Sequence, residues 1–307
     1  MKRYILCVLF TLCGFATYGD DCDMPLRIIV PTQIEELDAA SEQLVKNKLR
    51  QIVSRNGVVG GSDASPFALT AKVDVISKEV LSSMPTKYIY VLDVNLYIVD
   101  TQNQKIYSST SIEVRCVGNS QTKAYVNGIK ALDLSNAEVQ VFIENGKERI
   151  LDYYDNNYDE IIKEARTQAT LRNYEEAIFY LMSVPACSKG YDLAMAEVEK
   201  VYQQYVDRQC DENLAQAQAA WLSGFTRENA AIAGIYLSEI YPDAACYKQA
   251  QALVNEIKKH MGEEWDFQMK QWDDLANIEE QRLKYSREIA IAFAKNQPDE
   301  VVDFIFR

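Results

Sequence analysis

The second half of this 307-residue chain repeats itself. Asn173, Ala177, Tyr180, Leu181, Tyr191, Ala194, Ala196, Val198 and Val201 recur 56 residues later as Asn229, Ala233, Tyr236, Leu237, Tyr247, Ala250, Ala252, Val254 and Ile257. Earlier in each unit the offset is 52: Asp159, Glu160, Ile162 and Ala165 match Asp211, Glu212, Leu214 and Ala217. The difference of four residues is about one helical turn, which a helix absorbs without rotating its buried face. The duplicated stretch is rich in Ala, Glu, Gln, Lys and Tyr and poor in glycine. Such units stack on their neighbours to bury a common face, so residues 135–262 are expected to form an all-α helical repeat.

Local signals bound that region. Ser135 and Glu138 read as a capping box, and Asn145-Gly146 as a stop or kink. Beyond it, Trp265, Met269, Trp272 and Ala276 share a helical spacing that predicts one long helix from Glu263 to Lys295. Two readings of that helix stand side by side: a cap closing the array, or a partner-binding seam presenting Trp265, Met269 and Trp272. Pro298 stops it, and residues 301–306 form a short apolar tail. Segment NYEEA at 173–177 followed by Pro185 resembles a tetratricopeptide unit, although the Trp-Leu-Gly part of that motif is absent. The resemblance implies an array that binds proteins or peptides along one face.

The first half has a different period. Leu26 to Val30 reads as a short buried strand ended by Pro31. Thr32 and Glu35 then open an amphipathic helix that runs to about Arg55. Phe67 to Val75 alternates apolar and polar side chains, and Tyr88 to Asp100 is the most hydrophobic strand. Residues 101–104 form a polar turn, and Ile106 to Val117 returns as the second arm of a hairpin. A further helix opens after Gly118-Asn119-Ser120. This order predicts an α+β domain over residues 20–134, an antiparallel-rich sheet with helices on one face, ahead of the helical region.

Residues 26–134 resemble the periplasmic domain shared by the curli-secretion lipoprotein CsgG and the penicillin-binding-protein activator LpoB. Phe67–Val75, the run LDVNLYIVDTQNQKIYSSTSIEV at 92–114, and the helix opening at Gly118-Asn119-Ser120 with Ala124 carry it. In those families a strand ending in an acidic residue and a turn precedes a second strand with small hydroxylated residues. The resemblance covers about a third of the chain. It implies a non-enzymatic protein that docks onto other envelope components.

The first residues read as a secretory signal, with Lys2 and Arg3 ahead of an apolar run from Tyr4 to Leu12, and cleavage is expected near Gly19. Removing Lys2 and Arg3 takes the net charge from −13 to −15. Leu12 before Cys13 and Asp21 before Cys22 are poor lipid-anchor contexts, though attachment through Cys22 stays open. No later stretch reaches the length of a membrane span. The expected address is exported, either periplasmic or associated with the bacterial outer membrane.

Seven cysteines leave five after cleavage: Cys22, Cys116, Cys187, Cys210 and Cys246. Disulfides form in an exported protein. Cys210 begins the first helix of the second unit and Cys246 follows the end of its partner helix, so a Cys210–Cys246 bond is expected. The equivalent pair in the first unit is Tyr158 and Cys187, which cannot bond. Cys116 lies on the apolar face of its strand and reads as a buried thiol.

Charge and composition narrow the function. With 32 basic and 45 acidic side chains, the chain lacks the basic face that nucleic-acid binding requires. A single histidine, His260, excludes a histidine-based triad or a multi-histidine metal site. Gly60-Gly61-Ser62 lacks the Lys-Ser/Thr of a phosphate loop and reads as a turn. Asp152, Asp155, Asp159, Asp273 and Asp274 are the best carboxylate candidates, but they lack calcium-loop spacing and read as solvated helix ends. His260, beside Lys258 and Lys259, reads as neutralising a helix end. The sequence therefore points to no catalytic residue, cofactor or metal. The expectation is a non-catalytic envelope adaptor that binds an envelope protein or peptide. The alternative is a peptidoglycan- or glycan-associated binding protein, favoured by 19 tyrosines.

Overall fold

A computed structural model describes residues 24, 26–30, 39–55, 65–262, 265, 267–271 and 277–296. A short strand β1 (Arg27–Ile29) pairs in parallel with β2 (Phe67–Leu81), reached through helix α1 (Ala39–Arg55). β2, β3 (Lys87–Asp100) and β4 (Lys105–Gly118) then form an antiparallel meander, giving the order β1-β2-β3-β4. Helix α2 (Gln121–Ala131) follows, with Ser120 as N-cap accepting from the Lys123 amide. Both α2 and the start of α3 (Ala137–Thr170) pack on the sheet. The architecture is an α+β layer followed by a helical region, with the opening strand, hairpin and helix where their patterns placed them. The Thr32/Glu35 capping box and Gly60-Gly61-Ser62 lie outside the described residues.

Alternation along β3 sets the layers. Tyr90, Leu92, Val94, Leu96 and Ile98 are buried on the helix side. Asp93, Asn95 and Tyr97 face the other way and are half-exposed. β2 extends six residues beyond the alternating run, to Leu81. A bulge between Val75 and Ser77 explains why the pattern ends at Val75, because one extra residue inverts the phase of every side chain after it.

Two local signals in α3 need correction. Its N-cap is Asn136, whose Oδ1 accepts from the Val139 amide at 2.9 Å, while Ser135 Oγ donates to Asp133 at 2.7 Å. Asn145-Gly146 neither stops nor kinks the helix, which continues for 34 residues, about 50 Å. Gly146 is there for packing: an added Cβ would lie 2.4 Å from Ile98 Cδ1 of the sheet.

α3 consequently serves both halves. Its first half holds β4, with Ser108 Oγ donating to Phe142 O and Arg149 Nη1 to Tyr107 O. Its second half packs on α4 (Tyr174–Met182) and α5 (Tyr191–Leu222). Phe67 of β2 meets Tyr107 of β4 and Tyr154 of α3 edge-on, and Tyr154 Oη is 3.1 Å from Ser183 Oγ at the end of α4. One buried cluster runs without a break from Met24 to Ala294.

The duplication is visible in the chain path. The end of α3, α4 and the start of α5 form one unit. The end of α5, α6 (Arg227–Ser238) and α7 (Tyr247–Met261) form the next. Equivalent turn bonds recur: the Ser188 amide donates to Pro185 O and the Tyr191 amide to Ser188 O, as do Ala244 to Tyr241 and Tyr247 to Ala244. Cys210 and Cys246 are joined, with Cα atoms 5.8 Å apart. Cys187 is also disulfide-bonded, and Cys116 is a free buried thiol.

The expected helix from Glu263 to Lys295 is shorter. Trp265 and residues 267–271 are not helical, and α8 runs from Ile278 to Lys295. Gly262, at φ +76°, ends α7 in a backbone conformation that glycine adopts without a steric penalty.

Candidate functional site

Two surfaces stand out once the elements are in place. The first is where α8 lies across the array. α8 packs on α4 and α5 and meets the α6–α7 turn at Asp243. Arg282 Nε is 3.0 Å from Asp243 Oδ2, on a carboxylate that is 7% exposed, while Tyr202 Oη of α5 donates to Asp243 Oδ1. Burial pushes the Tyr202 phenol far above its usual range, so it remains a donor to Asp243. Tyr285 meets Tyr241 edge-on at 5.1 Å, and Phe293 packs on Phe179 of α4 at 5.4 Å. The outward flank of α8 carries Glu280, Lys284, Arg287, Glu288 and Ile291 along an open groove.

The sequence placed Trp265, Met269 and Trp272 on one helical stripe. Trp265 instead stacks on Phe267 at 5.1 Å, and the pair faces α6 at Gly234. Met269 is buried at 8% exposure. Trp272 lies outside the described residues. Lys270, between them, sits over the Tyr241 ring at 4.1 Å and donates to Glu239. Trp265 and Met269 therefore sit in a non-helical segment laid against the array, not on a helical seam.

The second surface is an arm. Past Thr70 the outer edge of β2 has no strand beside it among the described residues. From Ile76 through Lys87 every residue is exposed, and the tip contains the cis Met84–Pro85 bond. Ile76 and Val80 are each 58% exposed, Leu81 is 48%, and Met84 is fully open. Lys78 Nζ covers the Tyr90 ring at the base. Four large apolar side chains thus stand at the exposed end of the β2–β3 hairpin, on the edge strand of the three-stranded meander, with no further strand beside it among the described residues. The sequence carried a trace of this: the segment ISKEVLSSMPTK keeps its apolar residues but loses the alternation that would bury them.

Of the carboxylate candidates, Asp155 takes a structural role. Asp155 accepts from the Lys189 amide at 2.8 Å and pairs with its ammonium, while Asp152 and Asp159 are exposed. Asp273 and Asp274 lie outside the described residues. His260 stacks on Phe225 and meets Trp221 edge-on at the end of α7. On the sheet face opposite α2 and α3, Asp74, Asp93 and Glu113 stand opposite one another in register. Asn95 donates to Asp74 and Asp93, Ser111 donates to Asp93, and Lys72 pairs with Asp74. Among the described residues no group of three or more Asp, Glu, His or Cys could hold a metal ion. No described helix is long and apolar enough to cross a membrane. Tyr90, Tyr107, Tyr125, Tyr154 and Tyr202 are core residues, not a sugar-stacking platform.

The most buried carboxylate among the described residues is Asp100, fully buried at the β3–β4 turn. Burial pushes its carboxyl up, opposed by hydrogen bonds from the Gln102 and Asn103 amides and from Asn103 Nδ2. Next to it, Arg27 of β1 donates to Thr101 Oγ1, which donates in turn to Pro66 O. This network closes the turn.

What the fold defines is an α+β layer continuous with a duplicated helical array. No protein-family model and no curated protein matches the sequence. A minor lipoprotein from Acinetobacter baumannii, known from its crystal structure, is similar at a TM-score of 0.28 and 16% identity, over 41% of this chain and 94% of that one. Likeness at that level carries no argument about fold or function. The comparisons add no support to the CsgG/LpoB-like or tetratricopeptide-like resemblances.

Proposed function

We propose that this protein is an exported, non-catalytic scaffold of the bacterial cell envelope, docking onto other envelope proteins through its α+β domain and its helical array. The observation that carries this reading is the β2–β3 arm, where Ile76, Val80, Leu81 and Met84 are exposed on a strand that has no neighbour past Thr70 among the described residues. Exposed apolar patches of this kind mark interaction sites, and a free edge offers backbone donors and acceptors to a partner. The Cys210–Cys246 bond agrees with an oxidising compartment. The looser resemblance of residues 26–134 to the CsgG/LpoB periplasmic domain points the same way.

The test is a photo-crosslinking amino acid in place of Met84, activated in intact cells, with the adducts identified by mass spectrometry. One defined envelope protein is the expected product. Recovery of uncrosslinked monomer alone, or of bare glycan strands, overturns the reading. Sedimentation of the purified protein with peptidoglycan sacculi would move the weight to glycan binding.

A further inference from the structure

Cys187 is disulfide-bonded, yet its own repeat unit holds no second cysteine to receive it. The second unit bonds Cys210 to Cys246, and at the position equivalent to Cys210 the first unit has Tyr158. Cys116 is a free thiol. Cys7, Cys13 and Cys22 remain to supply the other sulfur, and all three lie outside the described residues. Cys7 and Cys13 fall in the segment read as a cleaved secretory signal. Elimination leaves Cys22 in the mature chain.

The chain path leads the two positions to the same place. β1 runs parallel to β2 with Arg27 opposite Ala68, so the residues before Arg27 leave the sheet past Phe67, where β2 begins. Phe67 meets Tyr154 of α3 at 5.6 Å. Cys187 is bracketed by two fastenings to that turn of α3. Ahead of it, Ser183 Oγ lies 3.1 Å from Tyr154 Oη, and just after it the Lys189 amide donates to Asp155 at 2.8 Å. Met24 and Leu26 are each 1% exposed in the continuous core, which seats the chain on the protein up to two residues from Cys22. The four residues from Leu26 back to Cys22 span about 13 Å when extended, the length of two turns of α3.

We infer that Cys22 is joined to Cys187, tying the segment ahead of β1 to the turn between α4 and α5. Each unit's turn is then fastened twice, by an aspartate and by a disulfide. In the first unit the second sulfur comes from the α+β side, so the bond crosses the junction between sheet and array. The bond forms by thiol–disulfide exchange with a disulfide donor of the oxidising compartment. One cysteine thiolate attacks the donor, the other displaces it from the mixed disulfide, and the donor leaves as a dithiol carrying the two electrons and two protons given up. A sulfur engaged in this bond carries no lipid thioether, so Cys22 is not a membrane anchor. Cleavage of the signal segment, which removes Cys7 and Cys13, is required; partner binding through the arm is not.

The test is disulfide mapping of the protein expressed from its whole sequence in a Gram-negative host and quenched with N-ethylmaleimide at lysis. Intact mass after reduction reads the mature N-terminus separately from the pairing. Denatured without reductant, the mature chain is expected to take up one N-ethylmaleimide, at Cys116, and five after reduction. Trypsin without reductant is expected to release the peptide ending at Arg27 linked to residues 173–189, a species that reductant splits. Cys22→Ser is expected to raise uptake without reductant from one to two, the new site being Cys187. Cys187 linked to Cys7 or Cys13, bridging two chains, or alkylated without reductant in the unaltered protein overturns the inference. A lipid-modified Cys22 overturns it as well. If Cys22→Ser does not accumulate, the map of the unaltered chain decides.

Discussion

Asp155 and Asp207 make the same bond at equivalent points of the two repeat units. Asp155 Oδ1 accepts from the Lys189 amide at 2.8 Å, and Asp207 Oδ1 accepts from the Ala245 amide at 2.7 Å. Each fastens the turn before a unit's last helix to the helix that opens the unit. The 52-residue offset of the two acids and the 56-residue offset of their partners are those of the sequence repeat. The duplication therefore extends to tertiary hydrogen bonds, beyond helix placement.

In the second unit the disulfide reinforces that link. Cys210 and Cys246 are 36 residues apart, and closing such a loop restricts the unfolded chain. The double variant Cys210→Ala/Cys246→Ala is expected to lose about 2–4 kcal/mol. Urea unfolding followed by far-UV circular dichroism, compared with the oxidised parent, measures it. Equal midpoints would show the bond to be dispensable.

Gly118 closes the sheet onto α2. A Cβ added there would lie 2.2 Å from the Ala124 amide nitrogen and 2.6 Å from the Lys123 carbonyl carbon, backbone atoms held by the first turn of α2. Gly224, in the α5–α6 turn, has only the Asn229 side chain at 3.4 Å. Gly118→Ala is expected to cost about 2–3 kcal/mol, and Gly224→Ala to stay within about 1 kcal/mol of the parent. Thermal melts of the two variants side by side provide the comparison.

Glu197 gives the fold an acid-sensitive joint. Arg166 grips its carboxylate with Nε at 2.9 Å and Nη2 at 2.8 Å, and Lys200 adds a third bond at 2.9 Å. Arg166 first, and Lys200 after it, hold the carboxyl down to about 2, below the ordinary 4.5. A depressed carboxylate contributes fully above its ordinary value and loses its contribution as pH falls from 4.5 through about 2. Both cations are largely solvated, which limits the contribution to about 1–2 kcal/mol. Glu197→Gln is expected to be less stable than the parent by that amount at pH 7, with the gap narrowing steadily below pH 4.5. Urea midpoints at pH 7, 4 and 2.5 follow it; a gap independent of pH would assign the cost to packing.

Cys116 is expected to be chemically silent in the native protein. It is 4% exposed, its thiol donates to Tyr90 O at 3.4 Å, and burial pushes its pKa up. Thiolate is the reactive form, so iodoacetamide should label Cys116 only after unfolding. Peptide mapping of alkylated native and denatured protein reads this directly, and labelling of the folded state would contradict the packing of α2 over β4.

Much of this was legible because period and burial coincide. Leu92, Val94, Leu96 and Ile98 alternate on a strand with one covered face, and Ala177, Leu181, Ala233 and Leu237 repeat where helices must approach closely. Cys210 and Cys246 could be paired because two helix ends of one hairpin meet. Local signals failed where a distant contact governed the residue. Gly146 looks like a stop in sequence and is a notch for Ile98, 48 positions earlier. Ser135 and Asn136 are both good caps, and Asp133 captures the first and leaves the second to α3. The bulge at Val75–Ser77 hid the arm, and the spacing of Trp265 and Met269 mimicked a helix in a segment that α6 and Tyr241 hold in another shape.

Two helices in this molecule each belong to two neighbours. α3 carries the sheet on its first half and the opening repeat unit on its second, while α5 ends one unit and begins the next. Each spans about 50 Å without interruption. They act as struts passing through the joints where a looser protein would place linkers. A pull on the sheet is therefore expected to pass along two continuous helices toward Trp221 at the end of α5. The chain cannot be divided near residue 135 or residue 190 without cutting loose a beam that both sides lean on.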